Sequence, residues 1–290
     1  MVPNASSQRI QLIAQFFMLL WVHDDVVEYS TEETVSTVTD DITKILLQVA
    51  RREISPPEEG VCAALHLTPE ILTDSQGLLC DVIEKFASFV LFTRKQHRTE
   101  FNGLRDFMDY RAIDIAADFI SICVRFGNAL ELTAEEIRPL HKVIDEATDH
   151  MVLINDLFSY DKEKHASLVQ NATITNSVDY LEKALSLSPP LTKNIAMLLA
   201  LDYESKLQDS LQRLEEMPGL TEAQLRYAQG MVESAAGNLL FSLTSARYGK
   251  GHGMVDVSHY GKLPLQALQW PVLGIATIGS IFWGIGRLLL

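Results

Sequence analysis

Apolar residues recur at the spacing of amphipathic helices along most of this chain. Helical spacing covers residues 36 to 54 and 78 to 96, and no stretch keeps the alternation of a half-buried strand. The segment from Arg111 to Phe126 predicts one long helix with these side chains turned inward: Ile113, Ile115, Ala116, Phe119, Ile120 and Val124. Proline pairs at 56–57 and 189–190 and the glycines between 249 and 253 separate the helices. The pattern predicts an all-α protein.

Two of the predicted helices begin with recognisable capping residues. Thr133 precedes an acidic first turn, and Thr221 stands three residues before Gln224, which is the spacing of a capping box. We expect a helix to start at each threonine.

Composition narrows the class of protein. With 290 residues, 47% of them hydrophobic, the chain can bury a large core, and no internal boundary stands out before residue 253. The net charge of -14 argues against a nucleic-acid partner and suits a protein that neutralises acidic clusters with divalent cations. The three cysteines are widely spaced and lack a C-x-x-C pattern, which indicates reduced thiols and a cytoplasmic location.

Two clusters of oxygen-bearing side chains each follow an apolar helical run. The first spans residues 23 to 28, where Asp24 and Glu28 share a helix face. In the second, Asn155, Ser159 and Glu163 recur every four residues and therefore line one face of a helix. An amide, a hydroxyl and a carboxylate are ligands that suit Mg2+. Either cluster alone could also be a solvated helix end, but together they favour metal binding.

The C-terminal segment differs from the rest of the chain. No charged residue occurs from Leu263 to Gly286, a length that can span a bilayer. Several prolines and glycines weaken a helix there, so a membrane tail and a buried terminus remain equally open. We therefore divide the chain into a main domain at 1–253 and an apolar tail at 254–290, with membrane contact through residues 263–290 as one option.

Four motifs in this order resemble those of class I terpene cyclases. Residues 24 to 28 are similar to their D-D-x-x-E motif, and residues 155 to 163 are similar to their N-D-x-x-S-x-x-x-E triad. Arg247-Tyr248 resembles their C-terminal arginine-tyrosine pair, and Arg111 lies where the family keeps a diphosphate-sensing arginine. The resemblance covers residues 8 to 250 and is closest in wording to the cyclase domains of fungal chimeric synthases that use C20 and C25 substrates. It implies an α-helical barrel around an apolar cavity.

The resemblance also implies a division of labour among the motif residues. Asp24 would bridge two Mg2+ ions, a third would be held by Asn155, Ser159 and Glu163, and Asp25 would pair with Arg111 on closure. Glu28 completes the first metal motif. The diphosphate would be held by Arg111, Lys162, Arg247 and Tyr248, groups that suit phosphate oxygens. Closure would be relayed by Asp114 and Ile115, and the carbocation would be steadied by the aromatic faces of Trp21 and Phe241.

The implied reaction is ionisation of a linear isoprenoid diphosphate, C20 or C25, and cyclisation of the resulting cation. A sesquiterpene cyclase acting on farnesyl diphosphate is the alternative, because no residue measures the cavity. A chain-elongating prenyltransferase would be expected to carry two D-D-x-x-D motifs. Only 23 residues precede Asp24, whereas family members carry further helices there, so an inactive paralogue or a membrane-tethered helical protein also remains open. Core surface exposed by missing helices would favour a homo-oligomer.

Overall fold

The computed structural model of the protein describes residues 2–3, 5–29, 32–67, 77–93, 98–170 and 174–248. Within these ranges the chain is helical and forms no strand, which confirms the all-α prediction. The helices are α1 (Ser7–Tyr29), α2 (Glu32–Ala50), α3 (Gly60–Ala64), α4 (Leu78–Thr93), α5 (Leu104–Asp114), α6 (Ala117–Gly127), α7 (Ala134–Ile137), α8 (His141–Gln170), α9 (Ser177–Leu185), α10 (Pro189–Glu215) and α11 (Glu222–Thr244). Short 3-10 turns cover Arg138–Leu140 and Ala246–Tyr248. The predicted tail at 254–290 lies outside the described residues.

Aromatic packing holds the N-terminal helices together. Phe16 of α1, Phe86 of α4 and Phe119 of α6 are buried, with ring centroids 5.5 Å, 5.8 Å and 6.2 Å apart in the three pairs. Burying a phenylalanine side chain contributes roughly 1.5 to 3 kcal/mol. This cluster fixes α1 against the core and thereby sets the position of its C-terminal end, which carries Asp24.

Helix α8 is the central element of the C-terminal half. Its 30 residues pack most extensively on α10 and α11, and apolar clusters cover two of its sides. Val152, Leu153 and Ile154 are all fully buried although they are consecutive, because α8 is enclosed on several faces. Polar side chains on this helix therefore need partners within the protein.

A helix begins after each of the two predicted threonines, and both starts form a capping box. The hydroxyl of Thr133 accepts from Glu136 N at 3.3 Å, and the hydroxyl of Thr221 accepts from Gln224 N at 3.2 Å. In the opposite direction, the backbone N–H of each threonine donates to the side chain of Glu136 or Gln224. Gln224 Nε2 also donates to the carbonyl of Glu136 at 2.6 Å. This bond links the N-terminus of α11 to α7.

The prediction of a single helix from Arg111 to Phe126 is wrong. Helix α5 ends at Asp114, and Ala116 adopts the left-handed conformation with φ at 63° before α6 begins at Ala117. A left-handed residue ends a helix and resets the phase of the one that follows. For this reason Ile113, predicted to point inward, is 53% exposed.

No single helix among the described residues is long and apolar enough to cross a bilayer. One pair, Ser177–Leu185 and Pro189–Glu215, passes that test only when the two are taken together, and it is bent by 118°. The predicted membrane segment at 263–290 lies beyond residue 248 and stays a prediction.

Candidate active site

Residues predicted to share a site converge from four parts of the fold. They lie at the end of α1, the end of α5, the middle of α8, and the end of α11 with its following turn. Arg247 Nη2 donates to Asp24 Oδ2 at 2.6 Å across 223 positions of sequence, and Asn155 Nδ2 donates to Tyr248 Oη at 2.8 Å. Arg111 Nη2 donates to Asn155 Oδ1 at 3.2 Å. Five predicted site residues are thus joined by direct contacts.

The α8 wall is the face of α8 that carries Asn155, Asp156, Ser159 and Glu163. Ser159 and Glu163 share a hydrogen-bond donor, the Nδ2 of Asn176, at 3.3 Å and 3.0 Å. Burial raises the pKa of the Glu163 carboxyl to about 7, although the nearby Arg111 guanidinium opposes the shift. An acid in this setting is readily stabilised by an added cation.

A buried ion pair anchors the α8 wall to α5. Asp156 is 0% exposed and accepts from Arg111 Nε at 2.9 Å, and Arg111 Nη2 lies 2.8 Å from the same carboxylate oxygen. Arg111 Nη1 donates to Asp114. Burial lowers the pKa of the Arg111 guanidinium, but Asp156 and Asp114 more than offset this and raise it above its ordinary value. Burial also raises the pKa of Asp156, and Arg111 holds part of that rise back. Sequence analysis assigned no role to Asp156, although it stands inside the second motif.

Asn176 contacts the α8 wall from outside α8 and is a second residue that sequence analysis missed. It lies at the start of α9, is 1% exposed, and places its Nδ2 at 2.9 Å from the carbonyl of Asp156, 3.3 Å from Ser159 Oγ and 3.0 Å from Glu163 Oε2. The neighbouring Ser177 N donates to Asp156 Oδ2 at 2.6 Å. The only sequence signal is an asparagine ahead of a helix, which predicts an N-cap and nothing more.

The α1 rim consists of Asp24 and its partner Arg247. Asp24 is half exposed, with 52% of its side chain accessible, whereas Arg247 is 17% accessible. Burial raises the pKa of the adjacent Tyr248, so its phenol stays protonated and can donate. Asp25 and Glu28 belong to α1, but their side chains lie outside the described part of the chain, so the predicted pairing of Asp25 with Arg111 stays a prediction.

The two predicted aromatic positions are in contact. The rings of Trp21 and Phe241 stack with centroids 4.8 Å apart and planes within 10° of parallel. Tyr248 approaches Phe241 edge-on at 6.1 Å, and Phe17 lies 6.0 Å from Trp21. An aromatic group therefore lies next to the polar site, one helical turn before Asp24 on α1.

The remaining predicted residues lie close by in the fold. Asp114 ends α5 and contacts Arg111, and Ile115, which follows it, is half-buried and packs against apolar clusters on both sides of α8. Lys162 is a half-buried residue of α8 just before Glu163. Its predicted contact with a diphosphate stays a prediction.

The side chains of the site suit a hard cation. Within the described residues, no three histidine, cysteine, aspartate or glutamate side chains come together as a metal cage. The donors of the α8 wall are instead an amide, a hydroxyl and a carboxylate, with Asp24 joined to the wall through Arg247 and Tyr248. Oxygen donors of this kind fit Mg2+, which is usually bound by few protein groups together with substrate phosphates.

Comparisons with known proteins agree on one family. A model of the family described as terpene synthase family 2, C-terminal metal binding, matches residues 15–196, a range that includes the α8 wall and Asp24. Terpene cyclase 6 of Gibberella fujikuroi is 32% identical over 248 residues, which cover 86% of this chain and 64% of that protein. Aristolochene synthase of Aspergillus terreus is 23% identical over 257 residues, covering 85% of this chain and 77% of that protein. The chain thus spans just under two thirds of the first of these relatives.

A solved structure shows the same fold. The crystal structure of aristolochene synthase from Penicillium roqueforti matches with a TM-score of 0.70 and 22% identity, covering 84% of this chain and 81% of that chain. The predicted class I terpenoid synthase fold is therefore confirmed.

Proposed function

Because the chain belongs to terpene synthase family 2, we propose that it is a cyclase that ionises a linear isoprenoid diphosphate with Mg2+ and closes the resulting cation into a ring system. The observation that carries the proposal is the contact chain from Asp24 through Arg247 and Tyr248 to Asn155. It brings together acids, oxygen ligands and cations from helices that are distant in sequence. A scaffold protein would have no need of that combination.

Four side chains would hold the metal. Asn155, Ser159 and Glu163 offer oxygens from the α8 wall, and Asp24 offers a carboxylate from the α1 rim. When bound, Mg2+ would supply Lewis-acid stabilisation of the departing diphosphate. Three ions, with Asp25 and Glu28 taking part, remain the expectation from the family resemblance.

Arg247 and Tyr248 would bind the diphosphate oxygens. Arg247 is paired with Asp24 at 2.6 Å, so diphosphate and metal would each take one member of that pair. A guanidinium and a neutral phenol both donate to phosphate oxygens, which stabilises the charge that collects on the leaving group. Lys162 would add a point charge.

Arg111 would sense the diphosphate from the other side of Asn155. Its guanidinium is held by Asp156 and Asp114, and the chain turns sharply just beyond, at Ala116. A shift of Arg111 toward the leaving group would therefore pull on Asp114 and Ile115, which join α5 to α6. These contacts support the expected relay of closure.

The allylic cation would form next to Trp21 and Phe241. The carbon–oxygen bond breaks with its electron pair leaving on the diphosphate, and the cation is attracted by aromatic faces. Loss of a proton or addition of water would complete the reaction. Hydrophobic surroundings would exclude water until then.

Separate observations support a C15 substrate and a longer one of C20 or C25. Similarity to aristolochene synthase over 85% of this chain supports a C15 substrate, farnesyl diphosphate. The wording of the motifs, which is closest to that of fungal chimeric synthases, supports C20 or C25. We favour C15, because that similarity extends over most of both chains.

Incubation of the purified chain with C15, C20 and C25 diphosphates tests both the cyclase activity and the substrate length. With Mg2+ we expect a cyclic hydrocarbon or alcohol from farnesyl diphosphate by gas chromatography and mass spectrometry, and none with EDTA. Asp209→Asn, at an exposed site on α10, is the matched control and should keep full activity. No product from any substrate, by a protein that is folded by circular dichroism, would refute the enzyme proposal.

A further inference from the structure

Asn176 connects two helices through opposite ends of one amide. Its Oδ1 accepts from Val178 N at 2.9 Å and caps α9, while its Nδ2 faces three acceptors of α8. Reversing the amide would set its oxygen against a carbonyl and a carboxylate, so the contacts require this orientation. The residue is buried, so water does not compete for these bonds.

The acceptors belong to the part of α8 proposed to bind metal. Ser159 Oγ and Glu163 Oε2 lie 3.3 Å and 3.0 Å from Nδ2, and the Asp156 carbonyl lies 2.9 Å away. An amide nitrogen has two hydrogens, so three acceptors share them. Ser159 and Glu163 are therefore held by a group outside α8.

A short side chain with both an acceptor and two donors is needed for this double role. Serine at this position would keep an acceptor for the cap, since serine and asparagine are about equally good N-caps. It would lack the second arm that reaches Glu163. Alanine would lose both functions, which makes the two roles separable.

We propose that Asn176 is a positioning residue that orients Ser159 and Glu163 for the cation without binding the cation itself. The proposal rests on the proposed function, because it takes these two side chains to be metal ligands. Groups that hydrogen-bond to ligands fix their orientation, and losing one typically costs roughly 10- to 100-fold in metal affinity.

The test compares Asn176→Ser and Asn176→Ala with the unaltered chain. Mn2+ is titrated in the presence of inorganic diphosphate and followed by electron paramagnetic resonance, and thermal unfolding is recorded in EDTA. We expect both variants to weaken Mn2+ binding by roughly 10-fold or more. Asn176→Ala should unfold at a lower temperature than Asn176→Ser, because both lose the bonds of Nδ2 and only Asn176→Ala also loses the cap.

Thr221→Ala is the matched control, since it removes the cap of α11, whose described side-chain hydrogen bonds do not involve the α8 wall. It should lower the unfolding temperature and leave Mn2+ binding unchanged. Normal binding by Asn176→Ser would overturn the positioning role and leave only the cap. If the unaltered chain binds no Mn2+ with diphosphate, the metal assignment of the proposed function fails first, and the role of Asn176 fails with it.

Discussion

Asp156 on the α8 wall and Asp24 on the α1 rim are both paired with an arginine, but their surroundings differ. Asp156 is fully buried and accepts from Arg111 and from Ser177 N. Asp24 is half exposed, and its described partner is Arg247. One pair is part of a buried network, whereas the other lies where water and ions can reach it.

This difference separates two tasks within one site. The α8 wall is ordered by contacts within the protein, so its oxygens are positioned before a ligand arrives. The α1 rim is an ion pair whose acid is half exposed, so a cation and an anion can replace its two members. A site of this kind would be rigid on one side and adaptable on the other.

The strongest test of the comparison is Asp156→Ala. It leaves the buried Arg111 without its main partner, and breaking a buried pair in this way costs about 3 to 5 kcal/mol of unfolding free energy. Urea denaturation of the metal-free protein measures the loss. Asp209→Ala, at an exposed position of α10, should change it by less than about 0.5 kcal/mol.

A double variant shows whether the charge itself is responsible. Arg111→Met with Asp156→Leu removes both charges and should be more stable than Asp156→Ala. The acid that remains, Asp114, can be neutralised by a proton, whereas a guanidinium that has lost its main partner cannot lose its charge. If the double variant is the less stable of the two, packing volume rather than the ion pair holds this wall together.

Much of this wall could be predicted from sequence, but its anchors could not. The four-residue spacing of Asn155, Ser159 and Glu163 is a local property of one helix, and so are the capping boxes at Thr133 and Thr221. The partners of that helix face depend on tertiary packing. Asn176 belongs to no motif, so only the fold reveals its contacts with α8.

The break at Ala116 could not be predicted for a similar reason. Alanine is the best helix former, so its left-handed conformation is imposed by the packing of α5 and α6 rather than by local preference. The interpretation of Ile113 as inward-facing failed because it assumed one continuous helical phase. Asp156 and Asp114 hold Arg111 in the described structure, and its pairing with Asp25 on closure stays a prediction.

A smaller effect is expected from pH acting on the α8 wall. Burial raises the pKa of Glu163 to about 7 from an ordinary value of 4.5. Between these values the folded chain holds a proton that the unfolded chain has lost, so the unfolding free energy in EDTA should fall as pH rises. The fall attributable to Glu163 should be on the order of 1 to 3 kcal/mol.

Glu163→Gln isolates this contribution. The variant should lack that part of the pH dependence and be at least as stable as the unaltered chain at pH 8, yet lose about 100-fold or more in turnover with Mg2+. Guanidine denaturation at pH 5 and pH 8, with and without the substitution, measures the difference. Parallel pH profiles for the two proteins would show that the carboxyl of Glu163 is not desolvated.

The smallest effect on stability should follow Asp24→Asn on the α1 rim. An exposed ion pair contributes about 0 to 1 kcal/mol, and added salt weakens it further, so the unfolding free energy in EDTA should change by less than about 1 kcal/mol. Turnover with Mg2+ should nevertheless fall about as far as in Glu163→Gln, because both residues are proposed to bind metal. A loss of 3 kcal/mol or more, of the size expected for a buried pair, would contradict the comparison. Because the α1 rim contributes little to folding, Arg247 can leave Asp24 for a diphosphate without destabilising α1. The α1 rim would then bind the substrate, and the α8 wall would keep the metal ligands in position.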